Sequence, residues 1–332
     1  MKKLVAAIIL LTFTSCSEDV PVKQAAGWTI YNTSNSALSS DQIQAIVIEN
    51  DIKWVGTPAG LTRIDGDQWS TFTTANASLP SDFITSIAVD KSGNTWVGTD
   101  KGLGKYDGTV WSVSEKFANQ FITKLHYDSR SNILWIGTDK GLGKYDGIAW
   151  ERYDDPESAL MDMYVSSLAT ASDGTLWMGS FDHFAFVGRL LKYDGDSWTS
   201  YKLDQRNLNS CFPDVLAVDS ENVVWMGVKG TMGGMVVRID GDRWDIYNRF
   251  TSAHFGGGGI TAITLADNVK WITSSTGITC YDNTTWRSFT KTNSGLPDDH
   301  ILTMVIDKAG NKWFGTLTNG LVVWADGAKS KR

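Results

Sequence analysis

The sequence predicts an all-β fold, a seven-bladed β-propeller of four-stranded blades whose last blade is closed by the N-terminal strand. Three observations carry that prediction. A Trp-x-Gly-like phrase recurs seven times, each copy but the last is followed by a second tryptophan, and the partner missing at the C-terminal end is present at the N-terminal one.

The phrase stands at Trp54, Trp96, Trp135, Trp177, Trp225, Trp271 and Trp313, spaced by 42, 39, 42, 48, 46 and 42 residues. Periods of 40 to 45 residues are those of propeller blades. Within a unit, residues 84–116 read by period two as four strands, ITSIAVD, NTWVGT, GLGKYD and VWSVSEK. Short segments rich in Val, Ile, Thr, Trp and Tyr between Gly, Asp and Asn turns argue strands rather than helices. The second tryptophans are Trp69, Trp111, Trp150, Trp198, Trp244 and Trp286. After Trp313 that position is Ala328, whereas GWTIYNTSNSALSSDQ around Trp28 matches QWSTFTTANASLPSDF around Trp69, so the N-terminal strand completes the seventh blade. Such closure removes open sheet edges.

GTDKGLGKYDG occurs twice, at 98–108 and 137–147. It lacks the Gly-Lys-Ser/Thr ending of a P-loop, and its glycines run G-x-G-x-x-x-G within a strand and turn, not at the start of a helix. It reads as a structural unit, its Asp-Gly pairs supplying the tight turn from third to fourth strand. Asp65-Gly66-Asp67, Asp194-Gly195-Asp196 and Asp240-Gly241-Asp242 read likewise as turns, since they lack the remaining oxygen donors of a calcium loop.

The chain opens with Lys2, Lys3 and an apolar run from Leu4 to Phe13, too short to span a bilayer and read as a cleavable leader over 1–15. Phe13-Thr14-Ser15-Cys16 resembles the lipobox of bacterial lipoproteins, which implies lipid attachment at Cys16, a tether over 16–26, the propeller over 27–327 and a tail over 328–332. Ser17-Glu18-Asp19 resembles the acidic export signal of Bacteroidota surface lipoproteins; the implied location is the outer membrane, at the cell surface or in the periplasmic leaflet. The net charge of −7 becomes −9 without Lys2 and Lys3, and an acidic chain without a basic run excludes nucleic acid as a partner. Cys211 and Cys280 match no zinc spacing and read as buried thiols. No cofactor and no metal site is expected: His126 reads as structural, and His183 with His254 lacks a third ligand.

The phrase LPSDFITSIAVDKSGNTWVGTDKGLGKYDG at 79–108 resembles the two-component regulator propeller repeat, and LPDDHILTMVIDKAGNKWFGT at 296–316 repeats the likeness. The resemblance implies the propeller fold and, in many relatives, a periplasmic, often glycan-responsive sensor of hybrid histidine kinases. No kinase, DNA-binding segment or second long apolar stretch follows in this sequence, so the signalling role is not carried over.

Functional candidates come from asymmetry. The two tryptophans of a unit are 15 residues apart in four units, but 21 apart in the fourth and 19 in the fifth, which insert SFDHFAFVGR (180–189) and VKGTMGGM (228–235). The connections before Tyr164, Val215 and Ile260 are enlarged as well, the last carrying Gly256 to Gly259, which reads as a close turn. Both kinds of connection open on one face, and loops on a rigid scaffold are where function concentrates. They are expected to bring Asp182, His183, Phe184, Arg189, Arg206, Arg249 and His254 toward one rim over blades 3 to 6. Just before the first inner-strand aliphatic stand Gln42, Phe83, Phe121, Tyr164, Phe212, Gly259 and His300. The four successive aromatics offer stacking faces to sugar rings, and the arginines offer pairing to uronate or sulfate.

The leading expectation is a non-catalytic, lipid-anchored propeller that binds an extracellular or periplasmic ligand, a glycan above all. The alternative is a polysaccharide lyase or hydrolase, with Tyr164 or His183 as base, Arg189 or Arg206 as counter-charge, or Asp162 and Asp182 as the acid pair. A third is a docking lipoprotein whose partner is an outer-membrane protein.

Overall fold

The structure, a computed structural model, describes residues 27–153, 160, 162–182, 187–206, 208, 211–230, 233–251, 254–255 and 258–325. The leader, Cys16 and the tether, His183 and Phe184, Gly256 and 257, and the tail lie outside the described residues. Seven four-stranded antiparallel sheets form among the described residues. Six take their strands in simple chain order; the seventh is closed by Trp28–Tyr31, which pairs with Leu321–Trp324 in the register Trp28↔Trp324. The innermost strands of blades 1 to 7 are Ala45–Glu49, Ile84–Val89, Ile122–Asp128, Met163–Thr170, Phe212–Val218, Ile260–Ala266 and Ile301–Ile306.

The hydrophobic core is seven wedges, one at each blade-to-blade interface, because each blade buries both faces against its neighbours. Trp-x-Gly has a packing cause in this arrangement. Trp54, Trp96 and Trp135 are each 3–4% exposed and meet Tyr106, Tyr145 and Tyr193 of the next blade at ring separations of 5.9, 5.5 and 6.2 Å. The glycine two residues later leaves room for the next blade's first aliphatic residue: a Cβ on Gly98 would stand 2.6 Å from Ile122 Cγ2, and one on Gly227 2.6 Å from Ile260 Cγ2. Blade 6 departs from the phrase with Thr273, fully buried and within 3.0 Å of the Thr261 hydroxyl.

The duplicated stretch is a run of turn devices. Thr99 and Thr138 donate their hydroxyls to the carbonyls of Gly102 and Gly141 at 2.8 Å, closing the second-to-third turn. Tyr106 and Tyr145 donate to the carbonyls of Gly108 and Gly147 at 2.7 and 2.9 Å and stack on Trp111 and Trp150. Asp107 accepts from the N–H groups of Val110 and Thr109, which hold its carboxyl down to about 2. The three plain connections repeat one another too: Asn35, Asn76 and Asn293 cap Thr-like turns, while Asp41, Asp82 and Asp299 each accept an N–H from eight residues back.

Candidate functional site

Every blade begins its innermost strand on one face of the ring, here the rim face, where the fourth-to-first and second-to-third connections also lie. The first-to-second and third-to-fourth turns lie on the other, the turn face. The insertions of blades 4 and 5 were expected as loops, but their described parts lengthen the sheets. Leu176–Asp182 pairs with Val187–Tyr193 out to Asp182↔Val187, and Val224–Gly230 with Gly233–Asp240 out to Gly230↔Gly233. The inner strand of blade 4 follows, pairing Met163↔Asp182 and Tyr164↔Phe181. Continued alternation and β-branched or aromatic residues favour such extension over a coil. The result is two neighbouring hairpins raised above the ring.

Glycines let each raised hairpin press on the following connection. A Cβ on Gly188 would lie 2.1 Å from the Cys211 carbonyl oxygen, and one on Gly234 2.1 Å from that of Gly258. Cys211 is buried there, burial pushing its thiol pKa up, and Cys280 is fully buried in the blade 6–7 wedge. Phe181 of blade 4 meets Phe212 of blade 5 edge to face at 4.5 Å and 87°.

The structure gathers part of the expected set. Tyr164, Asp182, Arg189 and Phe212 come together at blades 4 and 5, with Arg189 and Asp182 paired at 3.5 Å. The Arg189 Nε is buried and bonds no other group. Tyr164 is half-buried, and burial, with Asp214 and Asp139 nearby, pushes its hydroxyl pKa up. Phe83, 36% exposed, and half-buried Phe121 open blades 2 and 3 at the same level. His300 opens blade 7, its N–H donating to Asp298 Oδ1 at 2.9 Å. Other candidates have contacts of their own. Arg206 lies over the ring of Trp244, an outermost-strand residue, at 5.1 Å, and Arg249 over exposed Phe250 at 4.8 Å. The His254 carbonyl accepts from Thr279, and the residue lines a cavity of about 200 Å³ with Phe255 and Gly258. Asp162, exposed, occupies a left-handed turn at φ 57°.

The innermost strands carry further polar residues, of which the sequence had singled out His126 alone, as structural. The second inner-strand residues Thr85, Thr123, Ser166 and Thr261 donate their hydroxyls to the carbonyls of Ile122, Val165, Pro213 and Ile301 in the following blade. Blades 1 and 7 carry Gln44 and Leu302 at this position, and blade 5 carries Asp214, whose carboxyl pKa burial raises to about 6 against the pull of Lys229. Blade 3 carries Lys124 one position further on and then His126, whose imidazole burial holds down to about 4 and whose Nε2 lies 2.8 Å from the Thr170 hydroxyl. Each inner strand looks like its fellows by periodicity alone, so the one cue was a charged residue: Lys124 where the others carry Ala, Ser, Val or Thr, and Asp214 where they carry Ser, Thr, Gln44 or Leu302. On the turn face, a cleft of about 540 Å³ between blades 5 and 6 is lined by Asp219, Trp225, Arg238, Tyr247, Lys270 and Tyr281 among others. Its charges are engaged: Arg238 bonds Asp240 and Asp245, and Lys270 lies over Trp225 at 5.2 Å. No group of three or more potential metal ligands occurs among the described residues.

Residues 78–101 and 159–182 match the family described as two component regulator propeller. No curated protein matches the chain. Among solved structures it is similar to the extracellular domain of a hybrid two component system of B. thetaiotaomicron, with a TM-score of 0.73 and 20% identity over 90% of this chain. The chain spans only 41% of that domain's length. It is also similar to PorZ, a surface component of the type-IX secretion system of Porphyromonas gingivalis, with a TM-score of 0.65 and 16% identity, covering 89% of this chain and 49% of PorZ. An ancestral GH74 enzyme superposes with a TM-score of 0.68 and 13% identity, covering 90% of this chain and 46% of the enzyme. Likeness at these identities reports fold, and function must be argued from the site.

Proposed function

We propose that this propeller, whose residues 78–101 and 159–182 match the two component regulator propeller repeat, is a non-catalytic binding protein that captures an extracellular or periplasmic glycan at the rim of blades 3 to 6. The observation that carries the reading is the one-sided elaboration of an otherwise regular ring. Two adjacent blades raise hairpins on the rim face, and beside them stand a half-buried tyrosine, an aromatic pair and an arginine–aspartate pair. Aromatic faces and paired planar charges are the groups by which proteins hold sugar rings and their hydroxyls. We further propose attachment through lipid at Cys16 to the outer membrane. Among the described residues no helix is long and apolar enough to cross a membrane.

A glycan-panel screen with residues 17–332 tests the reading. Tyr164→Ala and Arg189→Ala should each weaken the selected glycan at least about 10-fold, or about 1.4 kcal/mol, while the melting temperature stays within a few degrees. Unchanged affinity in both variants would remove the site from this rim.

One observation favours a second reading, a hydrolase: Asp214 keeps its proton to about pH 6, as a general acid would. The lyase version is weaker, because Tyr164 becomes harder, not easier, to deprotonate. Reducing-end release from the bound glycan separates hydrolysis from binding.

A further inference from the structure

We propose that Lys124 makes the central channel an oxyanion site, receiving a sulfate, phosphate or carboxylate group at the inner strand of blade 3. Six blades fill the equivalent position with Ala45, Ser86, Ser167, Val215, Ala262 and Thr303, as their shared register opposite the second strand shows. The position faces the neighbouring inner strand: the Ser86 and Ser167 hydroxyls accept the N–H groups of Leu125 and Leu216 in the following blade at 3.0 and 2.8 Å. A lysine at that place cannot accept, and its four methylenes are long enough to carry an ammonium beyond the edge of the innermost strand.

The ammonium has no counter-charge among the described residues. Lys124 makes no hydrogen bond or ion pair there, in a chain whose other buried lysines, Lys270 and Lys312, lie against indole rings and backbone carbonyls. It is half-buried on the innermost strand of blade 3, and the surrounding strands desolvate it enough to lower its pKa, with no carboxylate offsetting the effect. His126, neutral or cationic, cannot serve as a counter-charge, and the charge that acts on Asp214 is that of Lys229. Desolvating a charge costs several kcal/mol unless it is paired. A small oxyanion paired with the Lys124 ammonium is the ligand that supplies what is missing.

The anion has two possible sources, a free ion or the acidic substituent of a glycan on the rim, and the second rests on the binding reading above. The test uses the protein of residues 17–332 with its lysines reductively ¹³C-methylated. Sodium sulfate, inorganic phosphate and acetate are titrated at constant ionic strength, and the Lys124 resonance is assigned by its loss in Lys124→Met. A saturable shift of that resonance, retained heat of binding in Lys124→Arg and its loss in Lys124→Met are expected. No shift of the resonance in the unsubstituted protein would overturn the site, whether or not the variants fold. In the second arm, a sulfated or uronate oligosaccharide should bind at least about 10-fold tighter than its neutral counterpart, and Lys124→Met should erase that preference. Sulfate binding without any glycan binding supports the channel site and refutes the rim reading. Equal binding of neutral and acidic glycans, with no sulfate response, does the reverse.

Discussion

Asp214 stands where four other blades place a serine or threonine that reaches the next blade, and that exchange has a thermodynamic signature. Its folded pKa of about 6 lies above the model-compound 3.8, so the folded state holds the proton more tightly. The stability this contributes is complete below about pH 4 and is lost as the pH rises through 6. Asp214→Asn should therefore be more stable than the parent at pH 7.5, by about 1–3 kcal/mol, and should remove that part of the pH dependence. Urea unfolding of both proteins from pH 4 to 8 checks it, and equal stability at the two ends would contradict the assignment. His126 acts in the opposite sense: lowered from 6.5 to about 4, it costs stability as the pH falls below 6.5. His126→Gln should accordingly flatten the acid limb. The sequence hid Asp214, and marked His126 only as structural, because inner-strand periodicity reports which residues pack, not what a polar side chain meets across a blade boundary.

The blade as an element is held by complementary omission and insertion: glycine in the second strand, a branched residue at the head of the next blade's first. Gly98→Ala puts a Cβ against Ile122 and should cost about 1–3 kcal/mol. If that contact is the cause, Ile122→Ala should be less damaging in the Gly98→Ala background than in the parent, a coupling that a double-mutant cycle by denaturant melts measures directly. This much was legible, since Trp-x-Gly and Tyr-Asp-Gly recur at fixed places and each recurrence answers to one contact. The raised hairpins of blades 4 and 5 were legible only as extra length. Nothing in SFDHFAFVGR separates a loop from continued strand until Ser180↔Arg189 and Phe181↔Gly188 are seen to pair. Arg206 shows the same limit: the sequence suggested a rim position, but not that its guanidinium would lie over the ring of Trp244 in the outermost strand of blade 5.

At the scale of the whole molecule, stability depends on a ring with no loose end. Trp28 stacks on Trp324 at 5.4 Å and lies 6.0 Å from Phe314, so the closing strand contributes to the blade 6–7 wedge as well as to its own sheet. Trp28→Ala should cost about 3–5 kcal/mol. It should also loosen blade 7 before the rest, which hydrogen exchange resolves as early loss of protection at 301–324.

The same closure sets an orientation. Ala325 donates its N–H to the Gly27 carbonyl at 2.9 Å, so the described chain starts and finishes side by side at the outer edge of blade 7. Trp28–Tyr31 is a fourth strand, and every fourth strand climbs from the turn face to the rim face. The described chain therefore begins on the turn face. A ring moored by its N-terminus would lie with its turn face toward the anchoring surface, and the hairpins of blades 4 and 5 and the channel mouth would look outward, toward whatever diffuses past.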